Sequence, residues 1–142
     1  MKLLVTGGTG FIGSFLCKEL LNLGHEVAIT TRTPNIIPKL AEHREKLSLI
    51  HVEYKKFSEY SDQIAKFNPE VIFHLGWSGV KNSMHNDLSL IEENIKTTIA
   101  LSQLALALNV KAFIALGSQA EYGLHNCIIN EKTLPEPRTA YG

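Results

Sequence analysis

Lys2-Leu3-Leu4-Val5-Thr6-Gly7-Gly8-Thr9-Gly10-Phe11-Ile12-Gly13 is the stretch whose reading decides the fold. A short apolar strand runs straight into glycines at 7, 10 and 13. A segment of helical period follows, Phe11 to Leu23, with Phe11, Ile12, Phe15, Leu16, Leu20 and Leu23 three to four residues apart and Gly24 as its stop. Gly7 and Gly10 let the backbone turn tightly and approach a pyrophosphate with no Cβ in the way, and Gly13 lets the helix pack close to the strand. The first helical turn then offers unpaired N–H groups to the phosphates. Glycine spacing alone also fits a plain strand-to-helix loop. The strand before it, the helix after it and its place near the N-terminus select the dinucleotide-binding turn.

Working outward, Glu26 to Thr31 reads as a second strand, which Pro34 and Pro38 end. Ile36 to Glu45 reads as a short helix and Leu47 to Val52 as a third strand. A helical pattern from Ser58 to Phe67 closes at Asn68-Pro69, before a fourth strand, Val71 to Leu75, whose apolar run suits burial on both faces. Gly76 to Asn86 reads as a loop. Asp87 to Leu108 is the longest helix candidate, with Leu88, Ile91, Ile95, Ile99, Leu101, Leu104 and Leu108 on or near one stripe. A fifth strand spans Lys111 to Leu116, and no clear regular element follows Gly117. Strand and helix alternate five times, which predicts an α/β, doubly wound parallel sheet of Rossmann-like type with strand order 3-2-1-4-5. The ligand then sits beyond the carboxyl ends of the strands, where strands one and four diverge.

Bulk composition narrows the function. A chain of 142 residues predicts one layered domain, residues 1–142. Lys plus Arg equals Asp plus Glu at 14 each, so no bulk charge favours nucleic acid or an acidic membrane surface, and a small-molecule partner is expected. Cys17 and Cys127 lie far apart without metal-ligand spacing, and no metal site is expected; a reduced, cytoplasmic protein fits them. The opening apolar run is broken by glycine too soon for a signal peptide, and no apolar stretch is long enough to span a bilayer.

The tip of the second strand, Thr31-Arg32-Thr33, holds no acid. A carboxylate there would accept from the adenosine ribose hydroxyl and repel a 2′-phosphate, whereas Arg32, with threonine hydroxyls beside it, can pair with that phosphate. The expected cofactor is therefore NADP. If Arg32 only stacks on adenine or lies in solvent, NAD is the alternative.

The chain resembles the extended short-chain dehydrogenases, NAD(P)-dependent epimerases, dehydratases and reductases acting mainly on sugar nucleotides. The resemblance covers the whole chain and rests on the opening glycine turn; on Asn68-Pro69-Glu70-Val71-Ile72-Phe73-His74-Leu75-Gly76; on Asn94 within Glu93-Asn94-Ile95; on Gly117-Ser118-Gln119-Ala120-Glu121-Tyr122-Gly123; and on Pro137-Arg138-Thr139-Ala140-Tyr141-Gly142. It implies a catalytic group of Ser118, Tyr141 and a Lys four residues after the tyrosine. It also implies cofactor contacts from Gly7, Gly10, Phe11, Ile12, Gly13, Thr31, Arg32, Leu75, Gly76 and Asn94. The chain ends at Gly142, before that lysine. On this reading it is the N-terminal part of a longer enzyme, cut before its substrate domain, which binds nucleotide but turns over little alone.

A phenol of pKa near ~10 is a poor base at neutral pH, and the family's ammonium lowers it. In the family, Tyr141 would exchange the proton of a sugar hydroxyl, Ser118 would hydrogen-bond the same oxygen, and a hydride would pass to or from the nicotinamide. Read from spacing alone, Ser118 is a turn cap and Tyr141 a surface residue. His74, inside an apolar strand, reads as a satisfied buried imidazole. Trp77 departs from the small residue often found there, and Glu53 is the only acid near the end of the third strand. The family's 4,6-dehydratases carry Asp-Glu directly after the Ser or Thr, where this chain has Gln119-Ala120 and Glu121 comes one place late. A 4-epimerase or 4-keto-reductase of a nucleotide-linked sugar is therefore expected. The alternatives are a non-catalytic NADP-binding regulatory or redox-sensing module and a reductase of a non-sugar ketone. Homodimerisation through the long helix is a further expectation.

Overall fold

The computed structural model describes residues 1–32, 38–52, 57–79 and 81–142. Five parallel strands, β1 (Lys2–Thr6), β2 (Glu26–Thr31), β3 (Leu47–His51), β4 (Val71–His74) and β5 (Ala112–Ala115), form one sheet in the order β3-β2-β1-β4-β5, as the alternating pattern predicts. The registers Leu4↔Ala28 and Leu4↔Ile72 place β1 at the centre. Thr33, Pro34 and Glu53, three residues singled out from the sequence, lie outside the described residues.

Alternation along β1 sends Leu3 and Val5 to one face of the sheet and Leu4 to the other. On the first face they join Val27, Ile29 and Leu47 beneath α1 (Phe11–Asn22). On the second, Leu4 joins Ala28, Ile50 and Ile72 beneath α2 (Phe57–Phe67) and α3 (Leu88–Ala107), through Ile64, Leu101 and Ala105. Leu4, Val5, Val27 and Ile72 have no exposed surface, and burying a side chain of this size contributes about 1.5–3 kcal/mol. Each helix ends where the next residues allow a left-handed turn: Gly24 (φ +82°), Asn68 (φ +54°) and Asn109 (φ +53°). At the other end of α3, the Asp87 carboxylate accepts from the Ser89 N–H at 3.0 Å and the Leu90 N–H at 3.3 Å.

Three details differ from the sequence reading. The expected helix over 36–45 is a run of 3-10 turns, Pro38–Lys46, interrupted at His43. The buried face of α1 consists of Gly13, Ser14, Cys17, Leu20 and Leu21, whereas Phe11, Ile12, Phe15 and Leu23 are exposed. In α3 the sheet-facing residues are Asn94, Leu101 and Ala105, while Leu88, Ile95 and Ile99 of the expected stripe, together with Leu106, face outward. Both helices carry apolar residues on two faces, so spacing alone does not say which face packs. Small residues decide it, because only Gly13, Ser14 and Ala105 let the helix axis come close to the sheet. After Gly117 there is one short 3-10 turn, Gln119–Tyr122.

Candidate functional site

The glycine turn sits at the carboxyl end of β1, against the end of β4. Gly7 has φ +69°, and a Cβ on it would lie 2.8 Å from the Leu75–Gly76 peptide; a Cβ on Gly13 would run into the Gly7 carbonyl. The turn is closed by the Gly10 N–H donating to the Gly7 carbonyl at 2.9 Å. Gly10 is the N-cap of α1 and offers no side-chain cap, and the first turn holds no acid. The helix therefore presents its positive end with no carboxylate competing for an anion.

Beside this turn, at the carboxyl ends of β4 and β5, lies a cleft of about 420 Å³. Ile12, Leu75, Gly76 and Trp77 line it on one side and Gly117, Ser118, Gln119 and Tyr141 on the other. Ser118 caps the 3-10 turn: its Oγ accepts from the Ala120 N–H at 3.1 Å, and its own N–H donates to Glu121 Oε1 at 2.6 Å. The Ser118 hydroxyl hydrogen is not used by that cap. The same bond occupies Glu121. Tyr141 stacks on the His85 ring (centroids 4.4 Å apart, 7° between planes) and meets Trp77 edge-on at 5.9 Å. Its N–H donates to the His85 carbonyl at 2.9 Å, so the Asn82–Met84 turn and the residues after it hold this part of the chain against the cleft. Trp77 Nε1 is buried without a hydrogen-bond partner among the described residues.

The remaining residues singled out from the sequence are placed as follows. Asn94 is 5% exposed, and its amide clamps Ser78 by accepting its N–H at 2.9 Å and donating to its carbonyl at 2.8 Å. Asn94 thus braces the cleft-facing loop. Thr31 is buried, and Arg32 is exposed at the tip of β2, its carbonyl accepting from His51 Nε2 at 3.1 Å. Phe11 is 77% exposed. His74 is buried and hydrogen-bonded through both ring nitrogens, to Thr6 Oγ1 at 2.7 Å and Thr98 Oγ1 at 3.0 Å, and burial pushes its pKa below the ordinary 6.5. Cys17 is buried too, and burial pushes its thiol up to about 12. No group of three or more His, Cys, Asp or Glu among the described residues could hold a metal ion, and no helix among them is long and apolar enough to cross a membrane. Sequence reasoning missed Thr6, Thr98, Ser78 and His85. A threonine in a strand or helix carries no local signal of its partner, and the His85–Tyr141 stack joins residues far apart in the chain.

A family model described as the NAD dependent epimerase/dehydratase family matches residues 3–142. The chain belongs to this family. A UDP-glucose 4-epimerase from Klebsiella pneumoniae is 31% identical over 129 residues, covering 87% of this chain and 93% of that sequence. A dTDP-6-deoxy-L-talose 4-dehydrogenase (NAD(+)) from Aggregatibacter actinomycetemcomitans is 29% identical over 145 residues, covering the whole of this chain and 50% of that protein. The structure of the Bordetella bronchiseptica enzyme WbmG in complex with NAD superposes over the whole chain with a TM-score of 0.82 at 22% identity, and so shares the fold. The epimerase/dehydratase chain described here spans 46% of WbmG and 39% of a further relative, the Staphylococcus aureus protein CapI.

Proposed function

We propose that residues 1–142 form the dinucleotide-binding domain of an NAD(P)-dependent enzyme that epimerises a nucleotide-linked sugar at C4 or reduces its 4-keto form. The observation that carries this reading is one cleft bordered by Ile12 of the glycine turn, by Leu75 and Gly76, and by both Ser118 and Tyr141. The residues present fit a dinucleotide: the backbone is bare at Gly7 and Gly13, and the N-terminus of α1 has no side-chain cap. Gly7, Gly10, Phe11, Ile12 and Gly13 would hold the diphosphate end. Thr31 and Arg32 would hold the adenosine ribose, and Leu75, Gly76 and, through Ser78, Asn94 would shape the nicotinamide side. When bound, the nicotinamide supplies or accepts a hydride.

The chain's own residues handle the proton. Tyr141 exchanges it with the sugar hydroxyl, and Ser118 donates its free hydrogen to the same oxygen. The phenol requires a neighbouring cation to act near neutral pH. In the family that cation is a lysine four residues after the tyrosine, a position beyond these 142 residues. Dehydration is disfavoured because Gln119 and Ala120 stand where an acid and a base are needed and Glu121 is held by the Ser118 N–H. Relatives that are a UDP-glucose 4-epimerase and a dTDP-sugar 4-dehydrogenase support a nucleotide-sugar substrate. NADP in preference to NAD rests on Arg32 and on the absence of an acid from the sequence Thr31-Arg32-Thr33, against a structural neighbour bound to NAD. The exposed apolar side chains of α3 support a homodimer, and unpaired Cys17 and Cys127 support a cytoplasmic location.

Trp77 is the chain's one tryptophan and lines the cleft, so its fluorescence reports occupancy. Saturable quenching by NADP and by NAD is expected, tighter for NADP, and a charge-reversing Arg32→Glu should weaken NADP alone. Absence of saturation by either dinucleotide, with no heat in calorimetry, would overturn the assignment; equal affinity for the two would remove the role of Arg32.

A further inference from the structure

The loop facing the cleft is tied to the sheet and to α3 by hydrogen bonds whose direction follows from which groups can donate. Thr98 has one hydroxyl hydrogen, given to the Asn94 carbonyl at 2.9 Å. His74 Nε2 is 3.0 Å from the same hydroxyl oxygen, so the hydrogen between them belongs to the ring. A neutral imidazole protonated at Nε2 has a bare Nδ1. The Thr6 hydroxyl, 2.7 Å away, therefore donates to Nδ1, and its oxygen accepts the Gly76 N–H at 3.0 Å. The run Gly76 N–H, Thr6, His74, Thr98, Asn94 carbonyl thus has a single polarity.

We propose that His74 is a positioning residue: a neutral, Nε2-protonated imidazole that sets the cleft-facing loop Leu75–Ser78 against β1 and α3 and thereby the affinity for dinucleotide. The affinity half of this rests on reading the cleft as a dinucleotide site. The loop is fixed at both ends, Gly76 by Thr6 of this network and Ser78 by the side-chain amide of Asn94, the residue whose backbone carbonyl ends it. Between these anchors stands Trp77, whose ring meets Tyr141. Facing His74 are Thr6 of β1, Thr30 of β2, Tyr60 of α2, Thr97 and Thr98 of α3 and Phe113 of β5, with Glu121 and Tyr141 also lining the cleft. Among these described residues Tyr60, Tyr141 and Glu121 are the titratable ones, and none is hydrogen-bonded to a ring nitrogen of His74. A second ring proton would meet the Thr6 hydroxyl, whose own hydrogen must then turn away. Burial opposes that proton as well.

The ring nitrogens of His74 in the ¹⁵N-labelled 142-residue chain test the assignment at neutral pH. The expected spectrum has a hydrogen on Nε2 and a bare Nδ1; the opposite tautomer, or a doubly protonated ring, overturns the proposal. Thr98→Val matches the threonine in shape but removes the acceptor for the ring hydrogen, whereas Thr98→Ser retains it. In the valine variant, exchange of the Gly76 and Ser78 amides should quicken about tenfold and dinucleotide affinity should fall about tenfold, with the serine variant within about twofold of the parent. Equal losses in both variants, or unchanged amide exchange in the valine variant, would sink the idea. If Thr98→Val fails to fold by circular dichroism, Thr6→Val against Thr6→Ser poses the same question from the other side of the ring. A parent chain with the expected ring spectrum and protected amides but no dinucleotide binding would overturn the affinity half together with the reading of the cleft. The placement half would then be decided by the ring and amide results.

Discussion

Single atoms decide whether the glycine turn can form. Gly13 tolerates no Cβ because the Gly7 carbonyl occupies that space, and the obstacle is backbone that cannot rotate away. Gly13→Ala should therefore destabilise the fold by roughly 1–3 kcal/mol, read as a lower urea midpoint, and abolish dinucleotide quenching of Trp77. His74 gives a second residue-level prediction. Its folded pKa lies below 6.5, so the unfolded chain takes up the proton first as the pH falls. The neutral ring's contribution to stability is complete above 6.5 and is lost between 6.5 and the lower folded value. Urea midpoints at about pH 7.5 and about pH 5.5 should differ more in the parent than in His74→Gln; equal differences would remove this contribution. The glycines were legible in the sequence because their spacing is local. The partners of His74 were not, since Thr6 and Thr98 stand 68 and 24 residues away.

At the scale of the element, the strands were the most readable part of the chain. Each short apolar run, bounded by turn residues, became a strand within about two residues of its expected ends, and the parallel order followed from alternation with helices. Helix faces were read less well. Counting apolar residues cannot separate a face that packs on the sheet from an equally apolar outer face, and the small residues that settle the matter look unremarkable in a linear sequence. The outer face of α3 has its own consequence. Leu88 is 70% exposed and Leu106 81%, with Ile95 and Ile99 between them at helical spacing. Exposed apolar stripes mark interaction surfaces, and the homodimer proposed above would cover this one. Sedimentation of the chain should show concentration-dependent self-association that the double variant Ile95→Glu/Ile99→Glu abolishes. A parent chain that stays monomeric at high micromolar concentration would remove the dimer from the proposal.

At the scale of the molecule, the regular structure of the described residues lies mainly in the sheet and in α1, α2 and α3. Leu124, Ile128 and Leu134 are 74%, 92% and 77% exposed, in a stretch after the last 3-10 turn that has no regular structure. Chymotrypsin should cut first within Leu124–Leu134, leaving an N-terminal product resistant through β5; initial cleavage inside β1 or β4 would contradict the layered core. Tyr141 nevertheless returns to the cleft, held by His85 and Trp77, a closure over more than fifty residues that no local pattern announces. The central position of β1 also governs the order of assembly during synthesis. Of the five strands β1 is made before its two neighbours, and the second of these begins only at Val71. The glycine turn gains its far wall at Leu75 and Gly76 only after those residues too have been made. Until then β1 keeps an open hydrogen-bonding edge, the interval in which chaperone capture or mispairing with another chain competes with folding.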